Sequence, residues 1–346
     1  MTGNREQVRN AGYAGVRSKR NALPGIGPTP EDFVVDEIPL YRPSGEGEHT
    51  FVRVEKRLRN SEEVRRELAR EAGVRLAEVG YAGRKDRFAI ARQWFSVPRL
   101  DPRRALTLEG EGIRVLEAVR HPHKLRTGQL RGNRFELKLR DLSEPGRVAP
   151  LLAEMVSRGM PNRFGAQRFG SDAGNAARGR ALLEGTPVAG SRSQTRFLLS
   201  ALQAEVFNAV LAARPLPLDR LETGDVAWLH ASGASFLVED AQREAPRASA
   251  FEISATGPIF GSRTLEPRGA PRERERAVYQ KLGIPGRETL RLPRGVRLRG
   301  ARRPLRVRPE EASSESLGDG VVRLRFALPP GSYATVLVEE LIAGLG

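Results

Sequence analysis

The chain has 346 residues, beyond the size that one hydrophobic core serves well, so two domains are expected. Lys and Arg outnumber Asp and Glu by 58 to 42, a net charge of +16 that requires a polyanionic partner; no apolar run approaches the roughly 18 residues of a membrane span, so that partner is nucleic acid rather than a membrane. The lack of cysteine excludes disulfides, zinc–thiolate sites and thiol chemistry.

Residues 1–28 read as a flexible basic arm, with five basic residues and one acid between Met1 and Arg20 and no apolar stretch for a secretory signal. A cytoplasmic address follows. Phe33-Val-Val-Asp-Glu-Ile38 and Thr50-Phe-Val-Arg-Val54 read as strands. Asn60 with Glu63 forms a capping-box pattern, and Val64, Leu68 and Ala72 keep helical spacing until Gly73. Gly80 to Arg87 is a glycine-bearing turn that leads into the strand Gln93 to Val97. Ile113 to Val119 and Phe135 to Leu139 alternate as half-buried strands do, and Val148, Leu151, Leu152, Met155 and Val156 form a helical stripe closed by Gly159.

The pattern changes at Pro161. A helical run from Leu198 to Leu211 opens a second apolar mass, and that region ends at Arg291 to Arg308, with eight arginines in eighteen residues. Alternation then returns at Val322 to Leu328, before a helix from Tyr333 to about Ala343 that Gly344 stops. A strand returning late implies an insertion into one sheet. The expected fold is α+β rather than a doubly wound sheet: one domain of residues 29–160 and 306–346, with a second α+β domain, 161–305, inserted into it.

Chemistry centres on Gly80-Tyr-Ala-Gly-Arg-Lys-Asp-Arg87. The glycines let a bulky partner approach the backbone, and Arg84, Lys85 and Arg87 surround one acid, which favours an ionised Asp86. On these grounds Asp86 is either an ordinary surface acid in local salt bridges or an available carboxylate. His121 and His123 lack a third ligand, so they read as a basic RNA-facing loop and no metal is expected. Glu46 and His49 precede a strand and read as pocket wall rather than as an acid–base pair. The arginine run 291–308 reads as a solvated face following RNA backbone. Gly25-Ile-Gly27 is followed by Pro and opens no helix, so it is no dinucleotide fingerprint.

Gly80-Tyr-Ala-Gly-Arg-Lys-Asp-Arg-Phe-Ala-Ile-Ala-Arg-Gln-Trp94 resembles the nucleophile motif of the TruD family of tRNA pseudouridine synthases. Four further blocks match in order: Pro30 to Val35 with Gly45 to His49, Lys124 to Phe135, Pro161 to Gly170, and Leu328 to Thr335. The resemblance implies a mixed-sheet catalytic domain interrupted by an insertion, and a cofactor-free isomerisation of uridine to pseudouridine, chiefly at position 13 of tRNA, on a nucleotide removed from its stack. It places the catalytic aspartate at Asp86 and substrate contacts at Phe33, Lys85, Asn133, Phe135 and Tyr333. Phe135 is the base-stacking ring, Asn133 reads the uracil edge, and Lys85 with a nearby arginine holds the charge of Asp86 and touches phosphate. Phe135 also fits the apolar alternation of its own strand. The pocket is thereby expected from both ends of the chain, Phe33 and Asn133 before the insertion and Tyr333 after it.

Two positions depart from the family. Gly27 stands where a basic residue is usual, and Lys19 or Arg20 of the arm would replace its phosphate contact. Tyr333 stands where a Phe is usual, and its hydroxyl needs a partner. The expected partner is tRNA, with no obligate protein partner, in a monomer. The competing reading is a non-catalytic RNA-binding or RNA-folding factor, for which an acid at position 86 has no use. A metal-dependent nuclease would want clustered carboxylates beside Lys85, and only Asp86 is there.

Overall fold

The computed structural model describes residues 25–170, 172–186, 190–262, 264–285, 292 and 296–346. Residues 1–24 of the expected arm, Lys19 and Arg20 included, lie outside these. By packing the chain divides into two units, 1–146 with 313–330, and 147–312 with 331–346.

The first unit holds strands β1 (Phe33–Pro39) and β2 (His49–Arg57), helix α1 (Ser61–Glu71), strands β3 (Gly80–Tyr81) and β4 (Ile90–Pro98), helix α2 (Pro102–Leu106), and strands β5 (Glu109–Gly110), β6 (Ile113–His121) and β7 (Leu130–Leu139). With the C-terminal strands Glu310–Gly318 and Val321–Leu328 they form a nine-stranded sheet. Its order is Glu310–Gly318, Val321–Leu328, β7, β1, β4, β2, β6, β5, with β3 also on β4. β1 runs parallel to β4 and antiparallel to β7, so the sheet is mixed, as the family resemblance implied.

Register decides which side chains share a face, because directly paired residues project to the same side. Val35 pairs with Phe135 and Glu37 with Asn133 across β1 and β7. Val35 also pairs with Ala91, which pairs with Lys56 in turn. One face therefore carries Phe33, Glu37, Lys56, Gln93, Asn133 and Phe135. Over the β2 and β4 part of that face lies α1, whose Val64 and Leu68 are buried with Val52, Val54, Phe95 and Val97. Burying each such side chain contributes about 1.5–3 kcal/mol. The capping box at its start is present: Asn60 Oδ1 accepts from Glu63 N and Glu63 Oε2 from Asn60 N, both at 2.9 Å.

The lead-in is less irregular than the sequence suggested. Arg140 N donates to Gly25 O at 2.7 Å and Gly27 N to Lys138 O at 3.1 Å, so residues 25–27 extend the sheet beside the end of β7.

The second unit contains helices α3 (Val148–Arg158), α4 (Asn175–Leu183) and α5 (Arg192–Ala212), strands β8 (Val226–Leu229) and β9 (Ser235–Leu237), and helix α6 (Ala241–Ser249). Strand β10 (Ile253–Ile259), helix α7 (Gly269–Lys281), strand β11 (Ala301–Pro304) and helix α8 (Ala334–Leu345) follow. A four-stranded sheet of order β9, β8, β10, β11 lies against α5 through Phe207, Ala255 and Leu305. On its other side α5 packs with α4 and α7 around Leu182, Leu199, Leu202, Val206 and Val278. Gly344 does not stop the last helix but lies inside it. A Cβ there would stand 3.0 Å from Leu151, so the glycine serves the close packing of α8 on α3.

The arginine run is not one solvated face. Arg297 and Arg299 are exposed, but Arg302 and Arg306 are 7% and 1% exposed. Arg302 is paired with Glu275 at 2.6 Å. Arg306 donates to Ser254 Oγ at 2.9 Å and to the carbonyls of Arg158 and Ala248, and its guanidinium lies 4.2 Å above the Phe251 ring. These two arginines hold α3, α6, α7 and β10 together and are not available to a polyanion.

Candidate active site

Asp86 sits in the loop between β3 and β4, which crosses the face bearing Glu37, Lys56 and Gln93. The carboxylate is exposed; Oδ1 accepts from Phe88 N at 2.9 Å, and Oδ2 has no partner among the described residues. The surrounding cations do not pair with it. Arg84 turns to the Tyr81 hydroxyl and Glu62, Arg87 to Leu58 O and Glu63, and Lys85 to Glu37. Local salt bridges therefore do not account for the acid.

The same contacts correct the expectation for Lys85. Its ammonium forms a buried ion pair with Glu37, the two side chains 6% and 1% exposed, and so is directed into the protein rather than towards phosphate. Lys56, 1% exposed, stands under the aspartate instead, donating to Asp86 O at 2.5 Å and Arg59 O at 2.6 Å. Burial pushes its amine down to about 8, against the opposing pull of the Asp86 charge. Ser61 Oγ, in the first turn of α1, accepts from Lys85 N at 3.0 Å and donates to Gln93 Oε1 at 2.7 Å. Gln93 Nε2 in turn reaches Gly83 O at 3.3 Å. Gly83, Lys85 and Asp86 are thus tied through their backbone to the sheet or the helix, which fixes the loop while leaving the carboxylate open.

Glu37, Lys56, Ser61 and Gln93 were not singled out from the sequence. A signal existed for two of them: Glu37 has the inward phase of Val35, and Lys56 that of Val52 and Val54. A charge at an inward position of a strand needs a partner and marks a built polar site.

Of the expected substrate contacts, Asn133 is the direct cross-strand neighbour of Glu37, and its Oδ1 is buried without a hydrogen-bond partner among the described residues. Phe33 meets Phe135 edge-on at 6.1 Å, and Phe135 stacks on Phe326 at 5.3 Å. At 7% exposure, Phe135 offers little free ring face; half-buried Phe33 offers more. Tyr333 belongs to the second unit, where it caps α8 and lies 6.1 Å from the Phe164 ring. There the blocks Pro161 to Gly170 and Leu328 to Thr335 meet: Arg303 donates to Asn162 Oδ1 at 2.6 Å and Gly331 O at 2.8 Å, and Ser332 Oγ to Asn162 Oδ1 at 3.0 Å. The Tyr333 hydroxyl has no hydrogen-bond partner among the described residues. Glu46 is exposed in the loop before β2, whereas His49 lines a cavity on the other face of the sheet.

Gly27 has a steric reason. A Cβ there would stand 2.1 Å from Asp32 Oδ2 and 2.6 Å from Arg140 Nε. Asp32 is fully buried and paired with Arg140 at 2.8 Å. Burial alone would raise its carboxyl, but Arg140 and Thr29 hold it below the usual carboxylate range. The guanidinium of Arg140 thus takes the space where a basic side chain at 27 would begin.

The model of the family described as tRNA pseudouridine synthase D (TruD) matches residues 24–189 and 189–341. The chain belongs to the TruD family. TruD relatives include proteins named tRNA pseudouridine synthase D from Thermus thermophilus, 44% identical over 92% of this chain and 90% of the relative, and from Geobacter metallireducens, 38% identical over 93% and 96%. A TruD structure from Methanosarcina mazei superposes with a TM-score of 0.72 over 93% of this chain and 94% of its own, at 23% identity, which supports the fold.

Proposed function

We propose that this protein isomerises uridine to pseudouridine in tRNA, at position 13, with Asp86 as the catalytic carboxylate. Residues 29–160 and 306–346 form the catalytic domain in this reading, with 161–305 inserted. The observation that carries it is an exposed aspartate with one unengaged oxygen on a backbone held by Lys56, Ser61 and Lys85. The activity itself is that named for relatives over nine-tenths of the chain.

The reaction is redox-neutral. The bond between N1 and C1′ breaks, a bond from C5 to C1′ forms, C5 loses its proton and N1 gains one. Asp86 acts at the sugar C1′, at the base C6 or on a sugar proton, each of which needs an ionised carboxylate close to a flipped nucleotide. Phe33 supplies a ring for the uracil to stack on, and the unpaired Asn133 Oδ1 an acceptor for its imide N–H. Arg140 stands in for the cation that other members carry at position 27.

The test is tritium release from a tRNA transcript labelled at uridine C5. Wild type is expected to release tritium and to yield a carbodiimide-reactive product, whereas Asp86→Asn binds the transcript and releases none. Full activity in Asp86→Asn would refute the assignment, and an inactive wild type that still binds tRNA would favour the RNA-folding factor.

A further inference from the structure

Along β2, His49 takes the opposite phase from Lys56, so it faces away from the Asp86 loop. It lines a cavity of about 690 Å³ with Tyr41, His121, His123, Lys124 and Arg126, within the usual size of a small-ligand site. The walls are rings and cations, and no carboxylate lines it. Tyr41 stacks on His121 at 5.1 Å with 25° between planes, while Phe51 and His123 meet the same imidazole edge-on at 4.5 and 6.1 Å.

Two polar atoms there are unaccounted for. His121 is 9% exposed, and neither its Nδ1 nor that of His49 has a hydrogen-bond partner among the described residues. Burial, helped by Lys124 for His49 and by His123 for His121, lowers both imidazoles below their ordinary range. Each is therefore neutral near pH 7, with one ring nitrogen donating and one accepting. The described residues contain no group of three histidines or acids placed to hold a metal.

The cavity wall is closely packed and tied to the nucleophile loop. A Cβ on Gly47, whose φ is +113°, would stand 2.4 Å from Pro122 N, so the loop before β2 is seated directly on the histidine loop. Gly128 N, in the segment after Arg126, donates to Ala82 O at 2.8 Å. Asp86 follows Ala82 by four residues, at most about 14 Å of chain.

We propose that this cavity is a second nucleotide subsite, which takes one unpaired nucleotide of the substrate RNA other than the uridine at Asp86. The base stacks on the Tyr41–His121 ring pair, the imidazoles and Gln129 engage its edge, and Lys124 and Arg126 meet its phosphate. The Arg126 guanidinium is exposed and has no ion pair among the described residues, which leaves it for that role. An RNA held here is gripped on both faces of the sheet, next to the backbone that carries the nucleophile. The inference uses the proposed function only for the substrate being RNA.

The experiment titrates the full chain, with histidine rings isotope-labelled, separately with adenosine monophosphate, uridine monophosphate and inorganic phosphate. At least one nucleotide is expected to shift the His121 and His123 ring signals while leaving His230 unmoved. Tyr41→Ala and Arg126→Glu are each expected to weaken that binding about tenfold, the scale of removing one base stack or one phosphate interaction. In steady-state assays the same variants raise KM for the tRNA transcript by more than they lower kcat. Ring signals indifferent to either nucleotide would overturn the proposal, as would phosphate alone binding as tightly as nucleotide, or variants leaving both binding and KM unchanged. Nucleotide binding needs no turnover, so an inactive wild type that shifts these signals would fail the catalytic reading and leave this one standing.

Discussion

A buried ammonium that touches the backbone of Asp86, the proposed catalytic carboxylate, gives the rate a pH dependence that can be signed. Lys56 is lowered to about 8 by burial, so it is charged below that pH and neutral above it. A charged donor makes hydrogen bonds about twice as strong as a neutral one, and its loss loosens Asp86 O and Arg59 O together. The prediction is that kcat falls as pH rises through 8, and that Lys56→Met is slow at every pH. Unfolding is separable from this effect. Because the folded value lies below the unfolded one of 10.5, the unfolded chain binds more protons between about 8 and 10.5, and stability from this group rises with pH there. Tritium release and thermal melts should therefore move in opposite directions above pH 8; a flat rate would show that the charge is not needed. Asp86 was singled out only by the ordered set of family blocks, and the residues that tie down its loop were not, because a motif shows neighbours in sequence and these come from β1, β2, β4 and α1.

Helix α1 has two jobs that adjacent residues separate. Asn60 caps it, and Asn60→Ala is expected to cost about 1 kcal/mol, lowering the melting temperature while kcat stays near wild type. Ser61 couples the helix to the loop; Ser61→Ala leaves Lys85 N–H and Gln93 Oε1 without their partner, at about 1–3 kcal/mol, and should lower kcat beyond what the Asn60 variant does. Equal kinetic effects in the two would mean that the loop is not held through Ser61. The helix itself could be read in advance because its capping box and apolar stripe are local, as is the alternation of β2, β6 and β7. Strands β8, β9 and β11 could not, since they are three or four residues long and one of them, Ala301–Pro304, consists largely of arginine and proline. Their strand state comes from pairing, β8 and β11 with β10 and β9 with β8, information that no short window contains.

Across the whole molecule, the net charge of +16 indicates a polyanion without saying which arginines meet it. Composition counts Arg302 and Arg297 alike, but burial separates them. Exposed Arg297 and Arg299 are free to follow RNA backbone, so Arg297→Glu and Arg299→Glu should each make the salt dependence of tRNA binding shallower, by about 0.7–0.9 in log–log slope for each phosphate no longer neutralised. Arg302→Glu is a different experiment. Burial raises the Glu275 carboxyl against the opposing pull of the adjoining Arg302, so the charge on that acid depends on its partner. Replacing the partner by a second acid removes the pairing and adds repulsion, a loss of about 3–5 kcal/mol or more. Its melting temperature should fall steeply at every salt concentration, whereas the two exposed variants melt like wild type. An Arg302→Glu protein that melts normally yet binds tRNA with a shallower slope would place that arginine on the RNA after all, and would return the whole run to the surface role that its composition suggested.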